Sequence, residues 1–592
     1  MSQTKTPMAS GTFLLGPSDS ADVFIPEELD EEAHLLAQSV EDFVNERVLP
    51  QWKAIDAQEE GLLEGLLRET GEMGVFAVDV PEELGGLGAP KTTAILIGEK
   101  IGMGGSYAPA VAVQTGIGGL PILYFGTEEQ RARYVEKILS GETLTAYALT
   151  ESGSGSDALG ARTTAVLDRE KGVYLLNGSK QFITNAGFAD LFIVFAKVDG
   201  ERFTAFIVEK GTPGFTVGPE EHKLGLKGSS TCALSFDDTP VPEENVLGEI
   251  GKGHKIAFNV LNIGRLKLSP LVLGGAKISL AEGTRYAQER HQFGQPLAAF
   301  PLVQQMLAGA CARIYCHETN VYRTAHDVDR YADASGIPDK AAATVAALHA
   351  LSVECSINKV YASESIDFVV DEMLQLHGGY GFIAEYNAER HYRDARINRI
   401  WEGTSEINRM LITGTLLEKA MKGELPLLPA IKEVTDQLMS RTGSRDVPEG
   451  DFGAELAAVE LARKQTLFAA GVAAQKHMQN LEKEQEVLSW LADMIIQTYT
   501  LESAVLRAVK AGDHAEGEAV TARRAAVRLS IETGMPVVER AAKQVLAASA
   551  QGEELRGMLS MHRKLTRREP FEVRAEGRIL ATAVLEAGGY PF

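Results

Sequence analysis

Apolar side chains between residues 27 and 50 fall at Leu29, Ala33, Leu36, Ala37, Val40, Phe43, Val44 and Val48, one face at helical period that Pro50 closes. The same period runs through 62–73, 92–103 and 128–139, separated by turns such as Val80-Pro81 and Gly85-Gly86-Leu87-Gly88. Residues 27–145 are thus predicted as a helical domain, behind an arm, 1–26, whose Ser, Thr, Gly and Pro content predicts a loose segment. The period then shortens. Val173-Tyr174-Leu175-Leu176, Leu191-Phe192-Ile193-Val194-Phe195, Thr204-Ala205-Phe206-Ile207-Val208 and Thr231-Cys232-Ala233-Leu234-Ser235-Phe236 are short β-branched and aromatic runs. Asn-Gly, Asp-Gly and Pro-Gly turns punctuate them, which predicts a compact antiparallel β domain over 146–260. Helical period returns at 261–290, 301–328, 339–369 and 403–418, four long segments with short links that predict a bundle over 261–420. A linker, 421–450, ends in a hydrophilic run from Ser440 to Gly450. Beyond it Leu488, Leu491, Met494, Ile495, Leu501 and Val505 mark a further helical domain over 451–592. The predicted fold class is mainly α with a small central antiparallel β domain and an extra C-terminal helical domain.

Composition narrows the function. At 592 residues the chain is too long for one core. Its apolar stretches break before the ~20 residues a bilayer span needs, and no charged start leads into an apolar core. The four cysteines (Cys232, Cys311, Cys316, Cys355) form no CxxC pair. So few in so long a chain argue against a disulfide framework and for the reducing cytoplasm, and Cys311 and Cys316, five apart, are read as packing residues. No His/Cys cluster has metal-ligand spacing, so no metal is expected. A net charge of −23 excludes nucleic acid as a partner, because phosphate binding needs a basic face.

Candidate chemistry lies in four segments. The first is Trp401-Glu402-Gly403-Thr404-Ser405-Glu406-Ile407, downstream of Gln375-Leu376-His377-Gly378-Gly379-Tyr380-Gly381 and Arg393-Asp394-Ala395-Arg396. A carboxylate beyond a double glycine, where backbone can approach a large planar ligand, suits a base that removes a proton from carbon while a ring system takes the hydride. A surface acid at a helix start fits the local sequence as well. The second, Tyr147-Ala148-Leu149-Thr150-Glu151-Ser152-Gly153-Ser154-Gly155-Ser156-Asp157, is a strand breaking into a Gly/Ser turn able to hold an anion or a ring edge. It lacks GxGxxG and a βαβ unit, so it is no Rossmann fingerprint. The third, Asn177-Gly178-Ser179-Lys180-Gln181-Phe182-Ile183-Thr184-Asn185-Ala186-Gly187, opens on a hairpin signal. The fourth, Tyr286 to Leu297, places Arg290 before a glycine turn, as a cap or as a fork for phosphate. His377 is read as structural, and the arginines at 390, 393, 396 and 399 as a salt-bridged helix face.

The order and spacing of these segments resemble the acyl-CoA dehydrogenase family over roughly residues 30–420. The C-terminal extension makes the chain most like the very-long-chain subgroup and its bacterial long-chain relatives. The resemblance implies FAD as cofactor. Tyr147, Leu149 and Thr150 would line the flavin ring, with Gly155 and Ser156 near flavin or CoA phosphates. Phe182, where the family usually has tryptophan, would cover one ring face, and Thr184 would reach the N5 edge. Thr404 and Glu406 would approach the FAD. Ser152 stands where the family has proline. Arg290, Gln292 and Phe293 would reach the FAD of a neighbouring subunit, closed by Gln375 and Gly379, so a homodimer or higher oligomer is implied.

By the same resemblance Glu402 is the catalytic base. Trp401 and Gly403 lie at the acyl group, and Asn262 and Arg265, with Ser156, hold the CoA moiety. A rival base position known in some branches falls on Gly264, which cannot take a proton. The implied reaction removes the pro-R α-proton of a fatty acyl-CoA as the β-hydride leaves to flavin, giving the trans-2-enoyl-CoA. An electron-transfer flavoprotein is the implied acceptor. Ala108-Pro109-Ala110-Val111-Ala112-Val113, at the foot of the acyl pocket, carries no polar plug, which points to a long chain. The extension is expected to leave the enzyme cytoplasmic, with at most weak peripheral membrane contact. The rivals are an acyl-CoA oxidase, which passes electrons to oxygen, and a non-catalytic flavin-binding assembly factor.

Overall fold

A computed structural model of the chain describes residues 10–440, 448–512 and 517–592. The first helices are α1 (Glu31–Phe43), α2 (Trp52–Asp56), α3 (Leu62–Glu72), α4 (Lys91–Gly102), α5 (Tyr107–Val113), α6 (Leu120–Phe125) and α7 (Glu128–Leu139). Their starts follow local chemistry. The Asp30 carboxylate accepts from Ala33 N–H at the head of α1, and Thr127 and Gln130 cap each other's backbone at α7.

Eight strands follow: β1 (Thr145–Ala148), β2 (Thr164–Asp168), β3 (Val173–Thr184), β4 (Leu191–Val198), β5 (Arg202–Glu209), β6 (Phe215–Glu220), β7 (Thr231–Pro242) and β8 (Val246–Leu247). They form one sheet in the order β6-β7-β3-β2-β4-β5-β8, with β1 also on β4. The pairings are antiparallel except that β1 and β2 both run parallel to β4, end to end along one edge. The expected hairpin turn at Asn177-Gly178 is absent. Both residues lie inside β3, at a register shift against β7. Gly178 takes φ 146°, and a Cβ there would come 2.7 Å from the Thr163 hydroxyl, so glycine permits a close crossing rather than a turn. The sheet has its own core around Phe192, Val194, Phe206 and Leu234.

The bundle consists of α8 (Gly253–Glu289), α9 (Pro301–Ala334), α10 (Lys340–Ala350) with α11 (Ser352–His377), a short α12 (Asn387–Ala395) and α13 (Ser405–Met421). The segment expected as one helix over 339–369 breaks at Leu351, whose φ −105° and ψ 24° leave the helical region. An 18-residue window of α8, and one over 107–125, are long and apolar enough to cross a membrane, contrary to the sequence reading. Both are mostly buried inside the protein, as core helices are.

The C-terminal part contains α14 (Leu427–Met439), α15 (Gly453–His477), α16 (Gln485–Gly512), α17 (Glu518–Ser549), α18 (Gly552–Leu565) and α19 (Val573–Ala587). The segment expected as a linker therefore holds a helix, α14, packed on α15, while 441–447 fall outside the described residues. α16, α17 and α19 pack on α9, and α16 also on α13, so extension and bundle share one apolar core. Residues 10–26, expected to be loose, are instead fixed in this seam; 1–9 lie outside the described residues. Phe13, Leu14, Val23 and Ile25 are buried, and Ser10 donates to Glu354 at 2.7 Å. Arg323 and Arg463 both meet Glu502, which also accepts from the Ser18 backbone, so a buried ionic knot ties arm, bundle and extension.

Candidate active site

Glu402 sits in the turn between a 3-10 segment (Arg396–Arg399) and α13. Glu402 and Gly403 both take left-handed backbone, φ 54° and 79°. For a glutamate this costs about 1–3 kcal/mol and persists only when the surroundings hold it. Three helices do so. From α13, Asn408 Nδ2 donates to the carbonyls of Glu402, Gly403 and Thr404 at 3.3, 2.8 and 3.1 Å. From α11, the buried Lys359 Nζ donates to the Gly403 carbonyl at 2.6 Å. From α8, Arg265 Nε lies 3.4 Å from the Glu402 carbonyl oxygen. Thr404 caps α13 by accepting from Ile407 N–H at 3.2 Å, and Trp401 Nε1 donates to Asn398 at 3.1 Å.

The Glu402 carboxyl points at α8. A Cβ at Gly264 would stand 2.4 Å from Oε2 and 2.8 Å from Cδ, so glycine makes the space that the carboxyl fills. Gly264, the rival base position, thus faces the group that would replace it. Oε2 is withdrawn from solvent and has no hydrogen-bond partner. Burial pushes the carboxyl up to about 7, against the pull of the Arg265 and Lys359 cations. Tyr147, at the end of β1, has a buried hydroxyl that is also without a partner. Burial and the nearby Glu402 carboxylate hold that phenol well above its usual value.

The second motif is held by a carboxylate that sequence reasoning did not single out. Glu151 accepts from Lys180 Nζ at 2.7 Å, from Thr163 at Oγ1 and N (2.6 and 3.0 Å) and from Arg162 N at 2.6 Å. Burial opposes its charge, but these donors outweigh it and hold the carboxyl at about 2. The Gly/Ser turn beyond is open: no atom lies within 4 Å of where a Cβ would stand at Gly153 or Gly155, and Ser156 is exposed. Phe182 stands at a bulge of β3 with φ 61° and its ring 58% exposed; Leu149 is buried, and Thr150 and Thr184 are half-buried. Unpartnered polar atoms on Tyr147 and Glu402, an exposed aromatic and an open Gly/Ser turn fit a large planar, anionic cofactor such as FAD.

Other expected residues lie elsewhere. Asn262 and Arg265 are buried and hydrogen-bonded to each other at 2.7 Å, and Arg265 also faces the Glu402 carbonyl. Glu406 is exposed. Arg290, Gln292 and Phe293 project on a two-stranded hairpin (His291–Gln292 with Gln295–Pro296) past the end of α8. At 1.5 Å per residue they stand about 40 Å along α8 from Gly264, so one chain does not bring them to Glu402. Arg290 lies over the Tyr380 ring at 5.4 Å, and Gln375 and Gly379 are exposed beside it. His377 stacks on Tyr286 at 4.1 Å and bonds the Met373 carbonyl, a packing role. Arg393 and Arg399 pair with Glu389 and Asp367, and Arg390 covers Trp52.

Beside Trp401 a partly open pocket, with a cavity volume of about 70 Å³, runs between α4, α5, α8 and α11. Ala108, Pro109, Leu268, Val272 and Ile366 line it, with His391, Asp394 and Asn398 as its polar members. The pocket suits an unbranched apolar chain.

Comparison with known proteins agrees with this arrangement. The chain matches "Acyl-CoA dehydrogenase, N-terminal domain" over 30–142, "middle domain" over 146–239 and "C-terminal domain" over 251–417, with a second "C-terminal domain" over 461–564. It is 44% identical over 585 residues, 98% of each chain, to a probable acyl-CoA dehydrogenase of Bacillus subtilis. It is 36% identical over 489 residues to the human mitochondrial very long-chain specific acyl-CoA dehydrogenase, covering 77% of this chain and 70% of that one. The crystal structure of an acyl-CoA dehydrogenase complexed with FAD from Bacillus anthracis superposes with a TM-score of 0.95 at 45% identity, over 98% of this chain and 100% of that one. With its buried carboxyl oxygen, its open Gly/Ser turn and its three-part fold, the chain belongs to the acyl-CoA dehydrogenase family of FAD-dependent oxidoreductases.

Proposed function

We propose that the chain dehydrogenates long-chain fatty acyl-CoA to the trans-2-enoyl-CoA, with Glu402 as base, as a soluble cytoplasmic enzyme that passes electrons to an electron-transfer flavoprotein. The observation that carries this is the Glu402 carboxyl: one oxygen buried and unpartnered, held up near 7 and lodged in the space left by Gly264. A base works best when its pKa lies near the working pH and no internal donor competes for its lone pair. FAD, when bound, supplies the acceptor for the β-hydride. The chain's own part is to hold the thioester's α-carbon against Glu402, to exclude water from the α8 side and to take the α-proton on the carboxylate. Trp401 walls the near end of the acyl pocket, and its apolar length favours a long chain, since each buried CH₂ contributes about 0.8 kcal/mol.

The protein acts as a homodimer or larger assembly. Phe293 (93% exposed), Phe382 (85%) and Leu302 (75%) leave large apolar side chains bare near the Arg290 hairpin. Such a patch marks an interface. It also accounts for flavin-contact candidates that lie too far from Glu402 to serve the same chain's site.

The test is anaerobic flavin bleaching by saturated acyl-CoA from butyryl to stearoyl length. Bleaching should be fastest near palmitoyl-CoA; no bleaching at any length would leave only the assembly-factor reading. In air, stoichiometric peroxide without an electron-transfer flavoprotein would identify an oxidase. The rate at low substrate should rise with pH through a midpoint near 7, because Glu402 must lose its proton to act. A flat profile from pH 5 to 9 would remove Glu402 from that role.

A further inference from the structure

We propose that Lys359 is a positioning residue for Glu402, its buried ammonium fixing the turn and supplying, with Arg265, the positive charge that keeps the base ionised. This rests on Glu402 being the base. Lys359 lies inside α11, fully shielded, where a lysine is rarely found without a reason. Its hydrogen bond runs to the Gly403 carbonyl at 2.6 Å, one residue beyond the base.

Lys359 is one of three supports of the turn. Asn408 already donates to three successive carbonyls, and Arg265 approaches the first of them. What Asn408 cannot supply is charge. The groups acting on Glu402 are Arg265 from α8, Lys359 from α11 and the Tyr147 phenol from β1. Those acting on Lys359 are Glu402, Arg265, Glu364 and Glu406. Burial lowers the Lys359 ammonium to about 8, still above the Glu402 carboxyl at about 7, so it carries most of its charge where Glu402 is half ionised. A neutral side chain at 359 would leave the carboxyl with Arg265 alone, whose fork is spent on Asn262 and a carbonyl.

The experiment compares holoenzyme carrying Lys359→Met or Lys359→Arg with the parent. Two quantities are followed against pH: the second-order rate of anaerobic bleaching by palmitoyl-CoA, and the infrared carboxyl band that Glu402→Gln abolishes. Removing a neighbouring opposite charge raises a carboxyl by about one pH unit or more, so Lys359→Met should slow bleaching roughly fivefold at pH 7 and recover it at higher pH. The infrared midpoint should move upward by the same amount. Lys359→Arg should restore both midpoints. If Lys359→Met fails to retain flavin, Lys359→Gln gives the same two readings. A uniform slowing with both midpoints unmoved overturns the proposal and leaves Lys359 structural, as does an arginine that restores stability but not the midpoints. Failure of the base assignment looks different: Glu402→Gln itself would then bleach normally.

Discussion

Replacing Glu402 by glutamine should leave a folded, yellow protein whose flavin is bleached by palmitoyl-CoA about 10⁴-fold more slowly than the parent's. In barrier terms that is about 5.4 kcal/mol, at 1.36 kcal/mol per tenfold. The amide has nearly the volume of the carboxyl and can occupy the same space against Gly264. The contacts that hold the strained turn run to main-chain oxygens of Glu402, Gly403 and Thr404, so none depends on the carboxylate. Oε2 has no partner to lose, and a neutral group removes the cost of burying a charge, so thermal stability should hold or rise. Only proton acceptance is deleted. Gly264 offers no second base. Bleaching within tenfold of the parent would place the base on another residue.

How much of this was legible in the chain depends on the distance over which the information acts. Helical period and β-branched runs are local, and they placed the three-part order and the bundle. The Asn177-Gly178 pair misled because the same glycine permissiveness serves a turn or, as here, a strand packed so closely on Thr163 that a Cβ would stand 2.7 Å from its hydroxyl. Residues 10–26 carry turn-forming composition and yet are fixed, because their partners Glu354 and Glu502 are more than 340 positions away. At the site, Glu402 and its glycine were visible as a motif. Lys359 and Asn408 were not, since an Asn or Lys inside a helical pattern reads as a solvated face until the fold turns it inward. Asn262 and Arg265 were expected at CoA; that Arg265 also faces the Glu402 carbonyl depends on the packing of α8 and has no local signal. For the Arg290 hairpin the sequence reading implied a second subunit, and the structure places it about 40 Å along α8 from Gly264, out of reach of Glu402 in the same chain.

Replacing Glu502 by leucine should cost about 3–5 kcal/mol of stability, because it takes the shared carboxylate from two buried guanidinium groups, leaving Arg323 without its ion pair and Arg463 with the partly exposed Glu460 alone. Glu502 lies inside α16 and accepts from Arg463 at 2.6 Å, from Arg323 at 3.0 Å and from the Ser18 backbone and hydroxyl at 3.1 and 3.0 Å. Arg323 belongs to α9 and also covers the Tyr499 ring at 4.7 Å, while Arg463 on α15 holds the Phe13 carbonyl at 2.8 Å. One carboxylate thus joins the arm, the bundle and the extension at a point where neither arginine can reach water. The loss should appear as a lower guanidinium chloride midpoint and as cleavage of the 10–30 segment by a protease at concentrations that spare the parent. The flavin site should still bleach with palmitoyl-CoA below the transition, since the turn at Glu402 draws its supports from Arg265, Lys359 and Asn408. The triple change of Glu502→Leu, Arg323→Met and Arg463→Met should regain most of the midpoint, because the expense lies in the unpaired charge and not in the missing pair. If Glu502→Leu alone shifts stability by less than about 0.5 kcal/mol, as an ordinary surface change does, the arm is held by its apolar residues Phe13, Leu14, Val23 and Ile25 and the ionic knot is incidental.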